Sequence, residues 1–91
     1  MAVVWIPPLL RDLTAGRETI SVPGETVRQV IEALEQSFPG IQQRLCDGSS
    51  LRSGIAVAVD SDVARLGMAQ PVGESSEVHF LPSIGGGSLP A

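Results

Sequence analysis

TVRQVIEALEQSFPG, residues 26–40, is the stretch that decides the fold, because it specifies one amphipathic helix. Thr26 suits the N-cap position, and Gln29 follows it at the spacing of a capping box. Apolar side chains then recur at helical spacing and form a single stripe at Val27, Val30, Ile31, Leu34 and Phe38. Pro39 and Gly40 predict the end of the helix. A helix with one apolar stripe has to pack that stripe against another apolar surface.

The segments on either side of this helix have the composition of β-strands. Residues 2–6 and 18–22 are rich in β-branched side chains and are expected to pair as a hairpin. After the helix we expect at most a helical turn over 41–45 and then a loop at 47–50. A strand over 55–59, apolar on both faces, should follow, with a turn at 60–62 and a short strand over 63–66. An irregular stretch over 67–76 then leads to a last strand over 77–81, which Pro82 is expected to stop. One long helix among strands predicts an α+β fold, with the helix lying across one mixed sheet.

Size and charge exclude several classes of protein. The 91 residues allow one domain, which we place at 1–82, followed by a tail at 83–91. The net charge is −4, and all six basic residues are scattered arginines, so nucleic-acid binding is not expected. No signal peptide or membrane-spanning helix is recognisable. A single cysteine, Cys46, rules out an internal disulfide and fits the reducing cytoplasm.

Few side chains outside the tail are candidates for chemistry. We interpret Cys46 as a buried thiol and His79, the only histidine, as a solvent-facing residue of the last strand, since zinc needs about four ligands. Asp60 and Asp62 flank a tight turn and lack a calcium-binding pattern, so turn hydrogen bonds explain them. Trp5 fits half-buried packing on the sheet better than a role as a partner's anchor. No metal site and no bound cofactor are expected.

Several short motifs resemble those of the ThiS/MoaD family of ubiquitin-like sulfur carriers, over residues 2–87. The matching stretches are Ile6-Pro7-x-Leu9-Leu10-Arg11, Gly24-x-Thr26-Val27, Leu34-Glu35, Pro39-Gly40-Ile41 and Val78-x-Phe80-Leu81-Pro82, with a short spacer before Gly86-Gly87. The first of these and Arg44-Leu45-x-Asp47 look most like the branch that supplies sulfur for cysteine synthesis. The resemblance implies a β-grasp fold and a protein that is a co-substrate rather than an enzyme.

The resemblance also implies a mechanism at the tail. In the family an E1-like enzyme uses ATP to adenylate the carboxylate of the last glycine, and sulfur then replaces one oxygen to give a thiocarboxylate. A second enzyme uses that thiocarboxylate as its sulfur source. Here the active carboxylate would belong to Gly87, with Gly86, Gly85 and Ile84 before it in the partner's tunnel. Because Ser88 and three more residues follow, the chain would be a precursor cut after Gly87, for which some relatives use a zinc-dependent JAMM-type protease.

Physical chemistry gives an independent reason for the glycines. At about 3.3 Å per extended residue, residues 83–87 reach roughly 16 Å from the fold, and glycines pass through a narrow tunnel without side chains in the way. The sequence has no phosphate-binding GxxxxGK[ST] loop, so ATP and Mg²⁺ would be used by the partner. From composition alone, GGGSLPA is more typical of a simple linker or a frayed terminus than of a working tail.

Docking and the choice of acceptor leave alternatives open. Apolar residues on the uncovered sheet face would dock the activating enzyme; Leu66, Leu81 and Ile84 are the candidates, with Arg11 and Arg65 as rim charges. The same carboxylate could instead be joined to a target lysine, which would make the protein a modifier; lacking lysine, it could not form chains through its own lysines. Two further alternatives are a binding module that needs no activation and a subunit of a larger synthase, as in the molybdopterin synthase relatives. The sulfur acceptor could belong to cysteine, thiamine, molybdopterin or secondary metabolism.

Overall fold

A computed structural model describes residues 1–48, 50–64 and 66–82. Within those ranges the chain forms short strands, two α-helices and two 3-10 segments. In chain order they are β1 (Ala2–Trp5), a 3-10 segment (Pro8–Leu10), β2 (Thr19–Val22), α1 (Val27–Ser37), α2 (Ile41–Leu45), β3 (Cys46–Asp47), β4 (Ser50–Leu51), β5 (Ile55–Val59), β6 (Asp62–Val63), a second 3-10 segment (Gly67–Ala69) and β7 (Glu77–Pro82).

Five of the strands build one mixed sheet in the order β2-β1-β7-β5-β6. β1 and β7 run parallel, with Val3 opposite Glu77 and Trp5 opposite His79, whereas the other neighbours are antiparallel. The last strand therefore occupies the middle of the sheet, between the first strand and β5. The predicted α+β fold, with one mixed sheet and one main helix, is confirmed.

The core lies between α1 and one face of the sheet. At the start of α1 the Thr26 hydroxyl accepts a hydrogen bond from the Gln29 N–H at 3.2 Å, and the Gln29 side chain accepts from the Glu25 N–H at 2.8 Å. The helix then buries Val27, Val30, Ile31 and Leu34 completely. They meet strand residues that alternate toward the helix, among them Val4, Ile20, Val57, Val78 and Phe80. The predicted stripe is correct except that Phe38 is the half-buried C-cap rather than a helical residue.

Glu35 fixes the junction between the two helices. Its carboxylate accepts hydrogen bonds from the backbone N–H groups of Gly40, at 3.1 and 3.2 Å, and Gln42, at 2.9 Å. These bonds satisfy N–H groups at the start of α2 and hold the pKa of Glu35 below its usual value. Gly40 itself has a φ of +101°, which favours glycine. The Glu35 side chain thus connects the end of α1 to the start of α2.

Three predicted boundaries are wrong. The strand expected over residues 63–66 is only Asp62–Val63, because pairing with β5 ends after the Ala64 N–H donates to the Val57 carbonyl at 2.8 Å. The expected loop at 47–50 contains the partners Asp47 and Ser50 of a minimal hairpin. Pro82 does not stop β7 but belongs to it, opposite Ile55.

Asp60 ties the turn after β5 to the start of the middle strand. Its carboxylate accepts hydrogen bonds from the Ser76 hydroxyl at 2.8 Å and from the Glu77 N–H at 2.9 Å. Its backbone has a φ of +53°, in the left-handed region that Asp tolerates. A turn role was expected for Asp60, but its hydrogen bonds are long-range rather than local. They hold its pKa below the ordinary 3.8, chiefly through the Glu77 N–H.

This arrangement predicts an acid-dependent contribution to stability. A carboxyl group whose pKa is lower in the folded state stabilises the fold above its unfolded pKa, and loses that effect as pH falls through the folded pKa. We expect Asp60→Asn, which keeps the turn's left-handed residue, to lower the free energy of unfolding at neutral pH. The difference from the unsubstituted protein should shrink as pH falls below 3.8 and be lost as pH passes through the lower pKa of the folded state. Urea unfolding at a series of pH values measures it; a difference independent of pH would contradict the assignment.

Candidate functional site

The middle strand positions the tail that the sequence singled out. β7 is paired on both sides, and Pro82, the residue before the tail in the sequence, is its last residue. Gly85, Gly86, Gly87, Ile84 and Ser88 lie outside the described residues, as does Arg65. What the structure does describe is the surface around the point where the tail begins.

Apolar side chains form a patch on the sheet face opposite α1. Trp5 of β1 is opposite His79 of β7, His79 is opposite Ala58 of β5, and Ala58 is opposite Val63 of β6. Residues opposite each other on neighbouring strands share a face. We call Trp5, Val63, His79 and Leu81 the open-face patch. Trp5 is 38% exposed, Leu81 40% and Val63 66%, so the patch is available to a partner.

Trp5 and His79 organise the centre of this patch. Their rings stack with centroids 5.3 Å apart and planes inclined by only 8°. His79 is half-buried and lies on the face opposite the buried Val78 and Phe80, as expected. Trp5, in contrast, is an exposed side chain, so the half-buried packing that the sequence predicted for it is not what the structure shows. The stack gives the patch a flat, rigid surface, of the kind found at the centre of protein interfaces.

The predicted docking residues do not all lie together. Leu81 belongs to the open-face patch at the end of β7. Leu66 is 61% exposed but follows β6, which β5 separates from β7. Arg11 is half-buried, and its Nε donates a hydrogen bond to the Ile6 carbonyl at 3.1 Å. Arg11 therefore stabilises the segment that follows β1, in addition to the predicted role as a charge at the rim of the docking surface. Val63 was not predicted as a docking residue, because its short predicted strand did not indicate which face of the sheet its side chain would occupy.

A groove that includes Phe80 and Leu81, near the end of β7, was not predicted from the sequence. It has a volume of about 500 Å³, and apolar side chains dominate its lining, among them Pro7, Leu9, Leu45, Ile55, Phe80 and Leu81. Arg44 supplies the charged side chain at its rim, where it bonds to the Leu9 carbonyl at 3.4 Å and lies 3.7 Å from the Asp12 carboxylate. We call this the tail groove. Its residues come from four separate stretches of sequence, so no local pattern could have indicated it.

The remaining candidates have structural explanations. Cys46 is buried, as expected, and burial raises the pKa of its thiol, which keeps it protonated and unreactive. In the part of the chain that the structure describes, no three His, Cys, Asp or Glu side chains are grouped to hold a metal ion. Among the same residues, no helix has the length and apolar character needed to cross a membrane.

Comparison with known proteins bears on both the fold and the tail. The chain is 35% identical to the sulfur carrier protein CysO of Mycobacterium tuberculosis over 89 residues, which cover 92% of this chain and 96% of that protein. The crystal structure of M. tuberculosis CysO superposes with a TM-score of 0.85 at 32% identity, covering 92% of this chain and all of that one. The crystal structure of the Amycolatopsis orientalis BexX/CysO complex matches with a TM-score of 0.87 at 30% identity, covering 96% of this chain and all of the matched chain.

These similarities confirm the predicted β-grasp fold and the predicted resemblance. The model of the ThiS family matches residues 4–87, which is nearly the whole chain and includes the glycines of the tail. The chain therefore belongs to the ThiS family.

Proposed function

We propose that this protein is a sulfur carrier whose working group is the carboxylate of Gly87, released when residues 88–91 are removed. An E1-like enzyme adenylates that carboxylate, sulfur from a donor replaces one oxygen, and a biosynthetic enzyme takes the sulfur from the resulting thiocarboxylate. The observation that carries the proposal is that the family match runs to Gly87 and no further. Four residues lie beyond the matched region, which is where the proposed cleavage falls.

In this reaction the protein acts as a co-substrate and not as a catalyst. ATP and Mg²⁺ are assigned to the activating enzyme, and a JAMM-type metalloprotease to the cleavage. We place the carrier in the cytoplasm, where thiols stay reduced. The chain's own task is to present Gly87 at a fixed distance from a surface that its partners recognise.

Two surfaces support that task. The open-face patch and the tail groove share Leu81, one residue before the last described position of β7. A partner that takes Gly87 into its active site, roughly 16 Å from the fold, has to lie against this end of the sheet. Apolar contacts there give binding energy that does not depend on the reacting carboxylate. The activating enzyme and the sulfur-accepting enzyme then bind the same end in turn.

The decisive experiment is the intact mass of the protein isolated from its native host. We expect a species that ends at Gly87, and a second one in which one oxygen of that species is replaced by sulfur. Conjugates of higher mass without the thiocarboxylate would replace the carrier by the modifier alternative. If only the chain ending at Ala91 is found, even when sulfur demand is high, the proposed mechanism is wrong.

The open-face patch makes a separate prediction. Val63→Asp places a charge in the patch on an exposed strand residue, so the fold should remain while docking weakens. A charge buried against an apolar partner surface should lower the affinity for the activating enzyme by roughly tenfold or more. Gln36→Asp is the matched control, since it adds the same charge on the exposed side of α1, away from the open-face patch.

Titration calorimetry of both variants with the activating enzyme measures this difference. Equal affinities for Val63→Asp and the unsubstituted protein would show that the patch does not dock that enzyme. A similar loss in Gln36→Asp would show that the effect comes from net charge rather than from the patch.

A further inference from the structure

The outer edge of β2 carries backbone groups that face away from the sheet. In the sheet that the described residues form, β1 lies on one side of β2 and no strand lies on the other. The Ile6 N–H donates to the Glu18 carbonyl at 2.8 Å, and in an antiparallel pair such bonds recur at every second residue. Ile20 therefore bonds to β1, whereas the N–H and C=O groups of Thr19 and Ser21 point away from it.

This edge lacks the features that keep most edge strands from pairing. Edge strands are commonly protected by extreme shortness, by charged side chains, by proline or by a bulge. β2 has four residues, Thr19–Val22, none of them charged or proline, and its register with β1 is continuous. At the opposite edge of the sheet, β6 has only two residues, and one of them is Asp62. Of the two edges, that of β2 is therefore the one that can pair with a further strand.

We propose that β2 pairs antiparallel with β2 of a second copy of the protein, with the two Ile20 residues opposite each other. In this register Thr19 of one copy lies opposite Ser21 of the other, on both sides of the centre. Each of these two pairs forms two hydrogen bonds, so the outward N–H and C=O groups of Thr19 and Ser21 are all satisfied. The side chains of Thr19 and Ser21 are exposed, and cross-strand pairs of hydroxyl-bearing residues stabilise sheets.

The charges next to β2 favour a second copy in this direction. Arg17 precedes the strand and Glu25 follows it, and both are exposed. Antiparallel pairing brings Arg17 of one copy toward Glu25 of the other at both ends, whereas parallel pairing would bring like charges together. The edge of one short strand buries less than the roughly 1,200 Å² of stable complexes, so the dimer forms transiently and at high protein concentration.

The pairing leaves the middle strand of each copy untouched. The five-stranded sheets of two copies join into one, and β7 of one copy runs antiparallel to β7 of the other, five strand spacings or about 24 Å away. The carboxyl ends of the two β7 strands therefore lie at opposite ends of the joined sheet. Under the proposed function, the end of the sheet that presents Gly87 stays accessible in each copy. The pairing itself involves neither Gly87 nor sulfur.

Amide NMR spectra and sedimentation of the full chain, from micromolar to millimolar concentration, test this proposal. We expect a monomer–dimer equilibrium in which the Thr19 and Ser21 amides shift with concentration, whereas the amide of Val57, inside the sheet, stays unchanged. Ser21→Pro removes an outward N–H that β1 does not use, so it should keep the fold and weaken self-association at least tenfold. Ser21→Ala, the matched control, keeps that N–H and should associate like the unsubstituted protein.

The charges provide a second set of variants that leaves the β2 backbone unchanged. Arg17→Glu should weaken the dimer, and combining it with Glu25→Arg should restore the association; these variants decide if Ser21→Pro does not fold. A chain that stays monomeric at millimolar concentration would overturn the proposal, as would a dimer that folded Ser21→Pro leaves intact. A monomer whose Thr19 and Ser21 amides shift only when an activating enzyme is added would assign the edge to that enzyme instead. If the dimer forms but no thiocarboxylate is ever found in the host, the pairing stands and the sulfur-carrier function fails.

Discussion

Removing Gly86 and Gly87 from the processed chain is expected to abolish formation of the thiocarboxylate. The shortened tail would end at Gly85, two residues or about 7 Å short of the position that the activating enzyme's nucleotide site requires. Reaction with an adenylate demands alignment to within a fraction of that distance, and a misplacement of about 1 Å already costs roughly 100-fold. Incubation with the activating enzyme, ATP and a sulfur donor, followed by intact mass measurement, gives the result directly.

The tail also offers a finer comparison. Gly87→Ala keeps the length but adds a Cβ next to the acyl carbon, so we expect a rate lower by roughly 100-fold. Ser83→Ala keeps both length and glycines and should react like the unsubstituted chain. All three changes lie outside the 1–82 domain, and thermal unfolding should therefore be the same for each. A variant without Gly86 and Gly87 that still carried out its cellular role would support the alternative of a binding module that needs no activation.

Leu34→Ala is expected to have the largest effect on the fold itself. Leu34 is completely buried at the centre of the α1 stripe. Its truncation removes apolar contacts and leaves a cavity, which costs about 2–5 kcal/mol in well-packed cores. A domain of this size is stable by about 5–15 kcal/mol, so the variant should lose a large share of its stability. Urea unfolding followed by the fluorescence of Trp5, the only tryptophan, measures the loss.

The matched control is Glu32→Ala, an exposed position two residues earlier in the same helix. It changes the free energy of unfolding by at most about 0.5 kcal/mol if the helix buries the face that the structure shows. Similar losses for both variants would mean that α1 does not pack through its predicted stripe. Under the proposed function the partners recognise the folded surface, so Leu34→Ala should also reduce sulfur transfer at temperatures where it unfolds.

Elements determined by local signals were predictable from the sequence. The capping residues Thr26 and Gln29 and the spacing of apolar residues after them gave the helix, since both effects act within a few residues. Alternation and β-branched composition gave β1, β2, β5 and β7 within about one residue. Of the three wrong boundaries, two came from weak signals: residues 63–66 were predicted as too long a strand, and the hairpin at 47–50 was predicted as a loop. The third, Pro82, was predicted to stop β7 but belongs to it.

Long-range relations could not be obtained in this way. The parallel pairing of Val3 with Glu77 joins opposite ends of the chain, and no local pattern specifies it. The tail groove needs Leu9, Leu45, Ile55 and Phe80 to meet, and Asp60 needs Ser76 and Glu77 as partners. The chemistry at Gly87 was predicted from the family resemblance, because three glycines alone are more typical of a linker. The roles of Gly85, Gly86, Gly87 and Ile84 in a partner's tunnel stay a prediction.

The place of β7 in the sheet has a mechanical consequence. A partner that draws the tail into its tunnel, or an unfolding machine that pulls on the same end, applies force along the axis of β7. That strand is bonded on one side to β1, which runs parallel to it, and on the other to β5. A load along the strand axis therefore strains both rows of hydrogen bonds in shear, rather than opening them one at a time. The carrier can be held firmly by its tail while its fold withstands the pull.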